Sequence, residues 1–204
     1  MKLRRRWAFL WLLLAWSVAP AAVPADLGEG LAYVRLKALP ADLPDGPRAG
    51  PLVVDLRFLA APAEQAAAFG AWLGFQARPG VPLLLVANRE TGEELRRVLA
   101  APRPPGVVLI GVPGPGFAPD LAVTASPEVD RQAYAALDAG VALAGLLADN
   151  PGKVRQDELS LRVGGEPARP PAPAAGPGAA EPVIDAALQR AVHLHRAHRA
   201  LRRG

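Results

Sequence analysis

Four short apolar runs along the chain predict the strands of a sheet. Residues 31–36 alternate between apolar and polar side chains, whereas residues 51–56, 81–87 and 106–111 are almost continuously apolar. Continuous apolar runs of this length are typical of strands that are buried on both faces, as in parallel or mixed sheets. The pattern therefore predicts a parallel or mixed sheet at the centre of the fold.

Apolar residues recur at helical spacing between and after these runs. Residues 62–73 form one such segment and begin with a proline, which a first helical turn tolerates. Thr91 precedes Glu94 by three residues, the pattern of a capping box in which Thr91 would cap a second helix. Ser126 opens a third helix, and the apolar spacing extends that helix to about residue 147. Strands that alternate with helices in this order predict a crossover α/β fold.

The start of the chain has the composition of a secretory signal peptide. Residues 1–25 combine a basic beginning, an apolar run over residues 7–18 and small residues that suit cleavage after Ala25. The alternative is an uncleaved leader that anchors the chain in the inner membrane, although so short a run does not comfortably cross about 30 Å of hydrocarbon. We therefore predict an exported protein, periplasmic or extracellular.

The remainder of the chain divides by composition into three segments. Residues 26–163 form the predicted α/β domain, residues 164–181 are rich in Pro, Gly and Ala and predict a linker, and residues 182–204 predict a basic amphipathic helix. The formal charge of the whole chain is +4. The basic leader accounts for that excess, so residues 26–204 are neutral overall, with a positive tail helix and a negative body. Aromatic residues make up only 5% of the chain and are not interleaved with basic ones, so we predict no nucleic-acid partner.

Four segments in order resemble the core of the C-terminal-processing (tail-specific) serine peptidases. Residues 30–36 are similar to that family's first strand, and Asp55-Leu56-Arg57 is similar to the end of its leucine-rich strand. Residues 83–94 resemble the strand and helix start that carry the nucleophile, and residues 107–111 resemble the next strand. The resemblance implies a Clp-protease/crotonase-like core of β-β-α units, an extracytoplasmic setting, a serine nucleophile and a lysine base. The positions equivalent to the family's groove are Arg57, Asn88, Gly92, Gly111, Gly116 and Phe117.

The catalytic motifs of that family are degenerate in this chain. Residues 58–61 replace a glycine-containing turn that helps to form the oxyanion hole, and the loss of such donors costs on the order of 10²–10³ in rate. The nucleophile segment has no serine, and Phe117 stands where the family has its lysine. A serine–lysine mechanism needs the amine within hydrogen-bond reach of the hydroxyl. We therefore expect a binding or assembly module without hydrolytic activity; the alternative is an active serine-type hydrolase that uses Thr91, the only hydroxyl in this segment.

Other candidate sites have simpler interpretations. His195 and His198 have a metal-compatible spacing but no third ligand nearby in the sequence, so we predict a solvated basic helix and no metal or other cofactor. Residues 111–116 have neither the Lys nor the Ser or Thr of a phosphate loop and predict a strand-ending turn. Asp55 and Arg57 predict an ion pair at a strand end. The expected partner is a peptide or protein, a second copy of the chain or a full-length paralogue.

Overall fold

The computed structural model describes residues 24–147 and 183–203. The predicted leader up to residue 23 and the whole predicted linker lie outside the described residues. Within those residues, no helix has the length and apolar character needed to span a bilayer.

All four predicted strands are present in a mixed sheet. They are β2 (Ala32–Arg35), β3 (Leu52–Asp55), β4 (Leu83–Val86) and β5 (Val107–Gly111), and the short strands β1 (Ala25–Asp26) and β6 (Leu121–Ala122) flank them. The spatial order follows the chain from β1 to β6; β1 is antiparallel to β2, and every other pair is parallel. Every residue of β3 and β4 is buried. The α/β class and the central sheet are therefore confirmed.

Helices cover both faces of this sheet. On one face, α1 (Ala63–Gln76) and α2 (Glu93–Ala100) supply Phe69 and Leu95 to a core that includes Val54 and Leu85. The other face carries α3 (Pro127–Asp138), α4 (Leu143–Leu146) and α5 (Ala186–Leu201). Each strand contributes to both cores, because successive side chains along a strand point to opposite faces of the sheet.

The predicted length of the third helix is wrong. Its start is confirmed, because Ser126 Oγ accepts a hydrogen bond from the amide of Val129. The helix stops at Asp138, however, where Gly140 takes a φ of +84°. The amide of Gly140 donates to the Leu137 carbonyl and the next amide donates to the Ala136 carbonyl, which is the Schellman termination of a helix. The apolar residues that follow belong to α4, a separate short helix.

The C-terminal helix packs on the sheet of its own domain. Asp185 caps α5, and its Oδ1 accepts hydrogen bonds from the amides of Ala187 and Leu188. The apolar face of α5 lies over β4 and β5, and the side chains that it buries there are Ala187, Leu188, Ala191 and Val192. The helix therefore completes the core layer on this face.

Candidate functional site

A buried charged cluster lies at the carboxyl ends of β3 and β4. The side chain of Arg57 is 0% exposed and forms ion pairs with Asp55 at 2.7 Å, with Asp130 at 2.9 Å and with Asp185 at 2.7 Å. These carboxylates come from β3, from the first turn of α3 and from the cap of α5. The predicted pair between Asp55 and Arg57 is confirmed, and the cluster also joins the sheet to two helices.

Neutral donors complete this cluster. The hydroxyl of Tyr33 donates to Asp55 Oδ2 at 3.0 Å, and the Asn88 side-chain amide donates to Asp130 Oδ2 at 2.8 Å. Three carboxylates thus share one guanidinium, two neutral side-chain donors and the backbone amides of Arg57, Ala187 and Leu188, which satisfies buried acceptors that would otherwise be costly.

The cluster also shifts the pKa values of Arg57, Tyr33 and Asp185. Burial works against the charge of Arg57, but Asp55 and Asp185 outweigh it and hold the pKa of Arg57 well above its usual value. Burial, reinforced by the charge of Asp55, raises the pKa of Tyr33. Burial likewise raises the pKa of Asp185, although Arg57 opposes that shift. Arg57 therefore stays charged and Tyr33 stays neutral, so neither exchanges a proton near neutral pH.

Thr91 lies beside the cluster, in the turn between β4 and α2. It is 1% exposed; its hydroxyl donates to the Leu56 carbonyl at 3.0 Å and accepts from the Asn88 amide at 3.1 Å. The capping-box interpretation is wrong, because the cap residue of α2 is Gly92 and no side chain caps that helix. The hydroxyl is bound to the end of β3 instead. None of its polar partners among residues 24–147 and 183–203 is a base, so no described neighbour would activate Thr91 as a nucleophile.

The other positions implied by the family resemblance are mostly close-packed. A Cβ at Gly111 would lie 2.0 Å from the Ala87 carbonyl oxygen, and a Cβ at Gly92 would lie 2.9 Å from the Cα of Ala60. Phe117 is buried in the core below α1 and α2.

The predicted strand-ending turn after β5 is confirmed. The backbone groups of Gly114 and Phe117 bond to each other at 3.0 Å and 3.1 Å, and Gly116 takes a φ of +68° in this turn. Among the groove positions, Gly116 is exposed on the turn, whereas Asn88 lines a cavity.

Phe58 stands between two cavities at this edge of the sheet. The smaller, of about 90 Å³, includes Asn88 and Asp130; the larger, of about 320 Å³, includes Arg35 and Tyr134. Phe58 lines both, and we call the two cavities together the Phe58 groove. Open α/β sheets bind ligands at the carboxyl ends of their strands, which is where this groove lies.

The backbone of Phe58 is strained. Its φ is +60°, in the left-handed region that a bulky residue enters at a cost of about 1–3 kcal/mol. The Phe58 and Tyr134 ring centroids lie 4.8 Å apart, and the Arg35 guanidinium lies 3.5 Å from the Tyr134 centroid. The two rings are tilted by 57°, and this contact holds Phe58 half-buried between the cavities.

No protein-family model, curated protein or solved structure matches the chain.

One histidine of α5, His195, differs from its predicted solvated state. His195 is 2% exposed, and its Nε2 lies 3.2 Å from the Glu29 carbonyl, to which it donates because a carbonyl only accepts. The prediction of a solvated residue is therefore wrong for His195. The part of the chain that the structure describes holds no group of three or more His, Asp or Glu side chains placed to bind a metal ion.

Sequence reasoning missed the two carboxylates that α3 and α5 bring to Arg57. Asp130 and Asp185 each stand at the start of a helix, where an acidic residue is already favoured by the free amides. The available signal was Arg57 itself, because an arginine directly after a buried strand needs counter-charges, and Asp55 is the only acidic residue of that strand.

Proposed function

We propose that this chain is a binding module that has the Clp-protease/crotonase-like core of the tail-specific serine peptidases and does not hydrolyse peptides. The parallel strands in chain order, with helices after β3 and β4, support this architecture. So does the order of the sequence segments that resemble the family.

The observation that carries the proposal is that the side chains at the carboxyl ends of β3 and β4 are buried and already bonded to one another. A nucleophile needs a neighbouring base and access to substrate. Thr91 has neither, since its buried hydroxyl already bonds a backbone carbonyl and a backbone amide. Arg57 fills the adjacent space and is held by three carboxylates.

The Phe58 groove is the binding surface that remains at this edge. Its larger cavity combines the apolar side chains of Leu36 and Leu59 with the charged pair of Lys37 and Asp138, whose atoms lie 2.8 Å apart. Arg35 also pairs with Asp138 at 2.8 Å. Across both cavities the three cations equal the three carboxylates in number; these residues are Arg35, Lys37 and Arg89 against Glu90, Asp130 and Asp138. The groove therefore suits an uncharged ligand surface. We assign to it a peptide segment of another protein that packs an apolar side chain against Phe58.

Binding is tested by peptide selection on the immobilised full chain, followed by titration of the best peptide. We expect Phe58→Ala to weaken this peptide at least tenfold. Phe75→Ala is the matched control, because Phe75 is 62% exposed on α1 and lines neither cavity of the groove. Equal affinity of both variants would contradict the assignment of the groove.

Hydrolysis is tested by incubating the folded chain with a peptide library and with a broad serine-hydrolase probe. We expect neither cleavage products nor a covalent adduct. Cleavage or labelling that disappears in Thr91→Val would instead establish the alternative, a hydrolase that uses Thr91. Within the described part of the chain, no contact of Thr91 favours that alternative.

Two further parts of the proposal concern location and assembly. We propose that the chain is exported, and an intact-mass measurement of exported protein would show whether it is cut after Ala25, within β1. We also propose a second copy or a full-length paralogue as a partner. Light scattering of the chain alone and mixed with such a paralogue tests this, and monomers in both samples would exclude it.

A further inference from the structure

A separate cavity lies at the opposite edge of the sheet, where β2, β3 and β4 begin. Its volume is about 400 Å³. The turns before the three strands supply Glu29, Gly30 and residues 49–51 and 80–82 to its walls, and the last turns of α5 supply the rest. We call it the amino-edge cavity. It shares no residue with the Phe58 groove.

The side chains that α5 places in this cavity continue the buried face of the helix. That face begins with Leu188, Ala191 and Val192, which pack on the sheet. The same spacing of three and four residues continues through four basic or imidazole side chains, His195, His198, Arg199 and Arg202. This face of α5 thus changes from apolar to basic where it reaches the cavity, and its exposure increases from the buried His195 to the exposed Arg202 at the end of the helix.

Positive charge exceeds negative charge around the amino-edge cavity. Among the described residues that line it, Glu29 is the only carboxylate, and it is already shared by Arg196 at 3.2 Å and Arg199 at 2.6 Å. Arg202 donates to the carbonyl of Gly80, and within residues 24–147 and 183–203 no carboxylate pairs with it. Its charge therefore has no compensating partner there.

Arg48 adds a buried cation behind the cavity wall. It is 8% exposed, and its guanidinium donates to the carbonyls of Gly50, Val81 and Pro82, all three of which line the cavity. No carboxylate of the described segments forms an ion pair with Arg48. Burial, and then the like charge of Arg78, lower the pKa of Arg48. A buried cation without a counter-charge is costly, and an anion in the cavity would offset that cost.

We propose that the amino-edge cavity binds a small molecule through an oxyanion group, either a phosphate or a carboxylate. Arg199 and Arg202 present guanidinium groups, whose planar donors match both kinds of oxyanion. His198 lines the same wall, and Arg48 contributes charge from behind it. The volume leaves room for the organic part of a phosphomonoester or of a small polycarboxylate.

Isothermal titration of the full chain with inorganic phosphate and with citrate, at ionic strength held constant with sodium chloride, tests this proposal. We expect saturable binding of at least one of them, and the one that binds identifies the oxyanion. Arg202→Gln should weaken binding about tenfold, the loss of one charge-assisted hydrogen bond.

The matched control is Arg190→Gln, which makes the same change on an exposed position of α5 outside the cavity. It should alter the affinity less than about twofold, since a distant exposed charge is screened. Circular dichroism of both variants confirms that they fold. Absence of saturable binding up to about 10 mM of either anion, or an equal loss in both variants, would overturn the proposal.

Discussion

Replacement of Arg57 by methionine removes the one cation that three buried carboxylates share. Methionine retains much of the apolar volume of the arginine stem, so the change is mainly electrostatic. In the native protein, the guanidinium bonds Asp55, Asp130 and Asp185 at distances between 2.7 and 3.2 Å. In the variant, these carboxylates keep only neutral donors.

The expected loss in the free energy of unfolding is about 5 kcal/mol. Removal of one partner from a buried ion pair costs about 3–5 kcal/mol, and here a single change leaves three carboxylates without a counter-charge. Native domains are stable by only about 5–15 kcal/mol, so Arg57→Met should be marginally folded at pH 7. Its melting temperature should fall by about 10–20 °C.

Urea unfolding followed by circular dichroism at pH 7 and pH 5 measures this loss. Buried carboxylates without a counter-charge favour protonation in the folded state, so the variant should regain stability as the pH falls. Arg97→Met is the matched control, because Arg97 also pairs with two carboxylates, Glu93 and Glu94, but on the surface. Its loss should stay below about 1 kcal/mol. The reasoning is refuted if Arg57→Met costs no more than Arg97→Met, or if acid does not stabilise the former.

Three further changes test individual contacts. Asp185→Asn keeps the side-chain oxygen that caps α5. Because burial raises the folded-state pKa of Asp185, the stability of the native protein should decline as the pH rises from 3.8 through that raised value. The urea midpoint of the variant should therefore depend less steeply on pH. An unchanged slope would contradict the role of burial. Thr91→Val leaves a buried strand carbonyl without its donor and should cost about 1–3 kcal/mol in urea unfolding, whereas a neutral effect would show that the bond is dispensable. Gly111→Ala places a Cβ 2.0 Å from the Ala87 carbonyl oxygen and should cost about 3 kcal/mol or more, whereas Gly74→Ala, in an open helical position, should gain about 0.5–1 kcal/mol by thermal unfolding.

The strands could be predicted because their continuous apolar sequences indicate burial on both faces. The apolar runs around Val54, Leu85 and Leu109 are too short for helices and too apolar for exposed strands. The length of α3 could not be predicted from periodicity alone, because apolar residues continue at helical spacing past Gly140. The glycine stops the helix through its backbone conformation, which the apolar pattern does not report.

Within the candidate site, only the contact between residues close in sequence was predictable. Asp55 lies two residues from Arg57, so their pairing follows from the sequence, whereas Asp130 and Asp185 are 73 and 128 residues away. Contacts between residues so far apart in the sequence depend on how the helices pack on the sheet. The burial of His195 was predictable in principle, because it stands seven residues after Leu188 on the same helical face.

The position of α5 in the sequence determines the order in which this fold can form. Val53, Leu84 and Ile110 share one face of the sheet, and α5 supplies much of the apolar surface that covers them. That face can therefore close only when residues 186–201 are present, and the contact between Arg57 and Asp185 spans 128 residues. Contacts so distant along the chain form slowly, since a long loop must close first. Until α5 docks, part of an apolar sheet face stays uncovered, and such a surface favours aggregation of the partly folded chain.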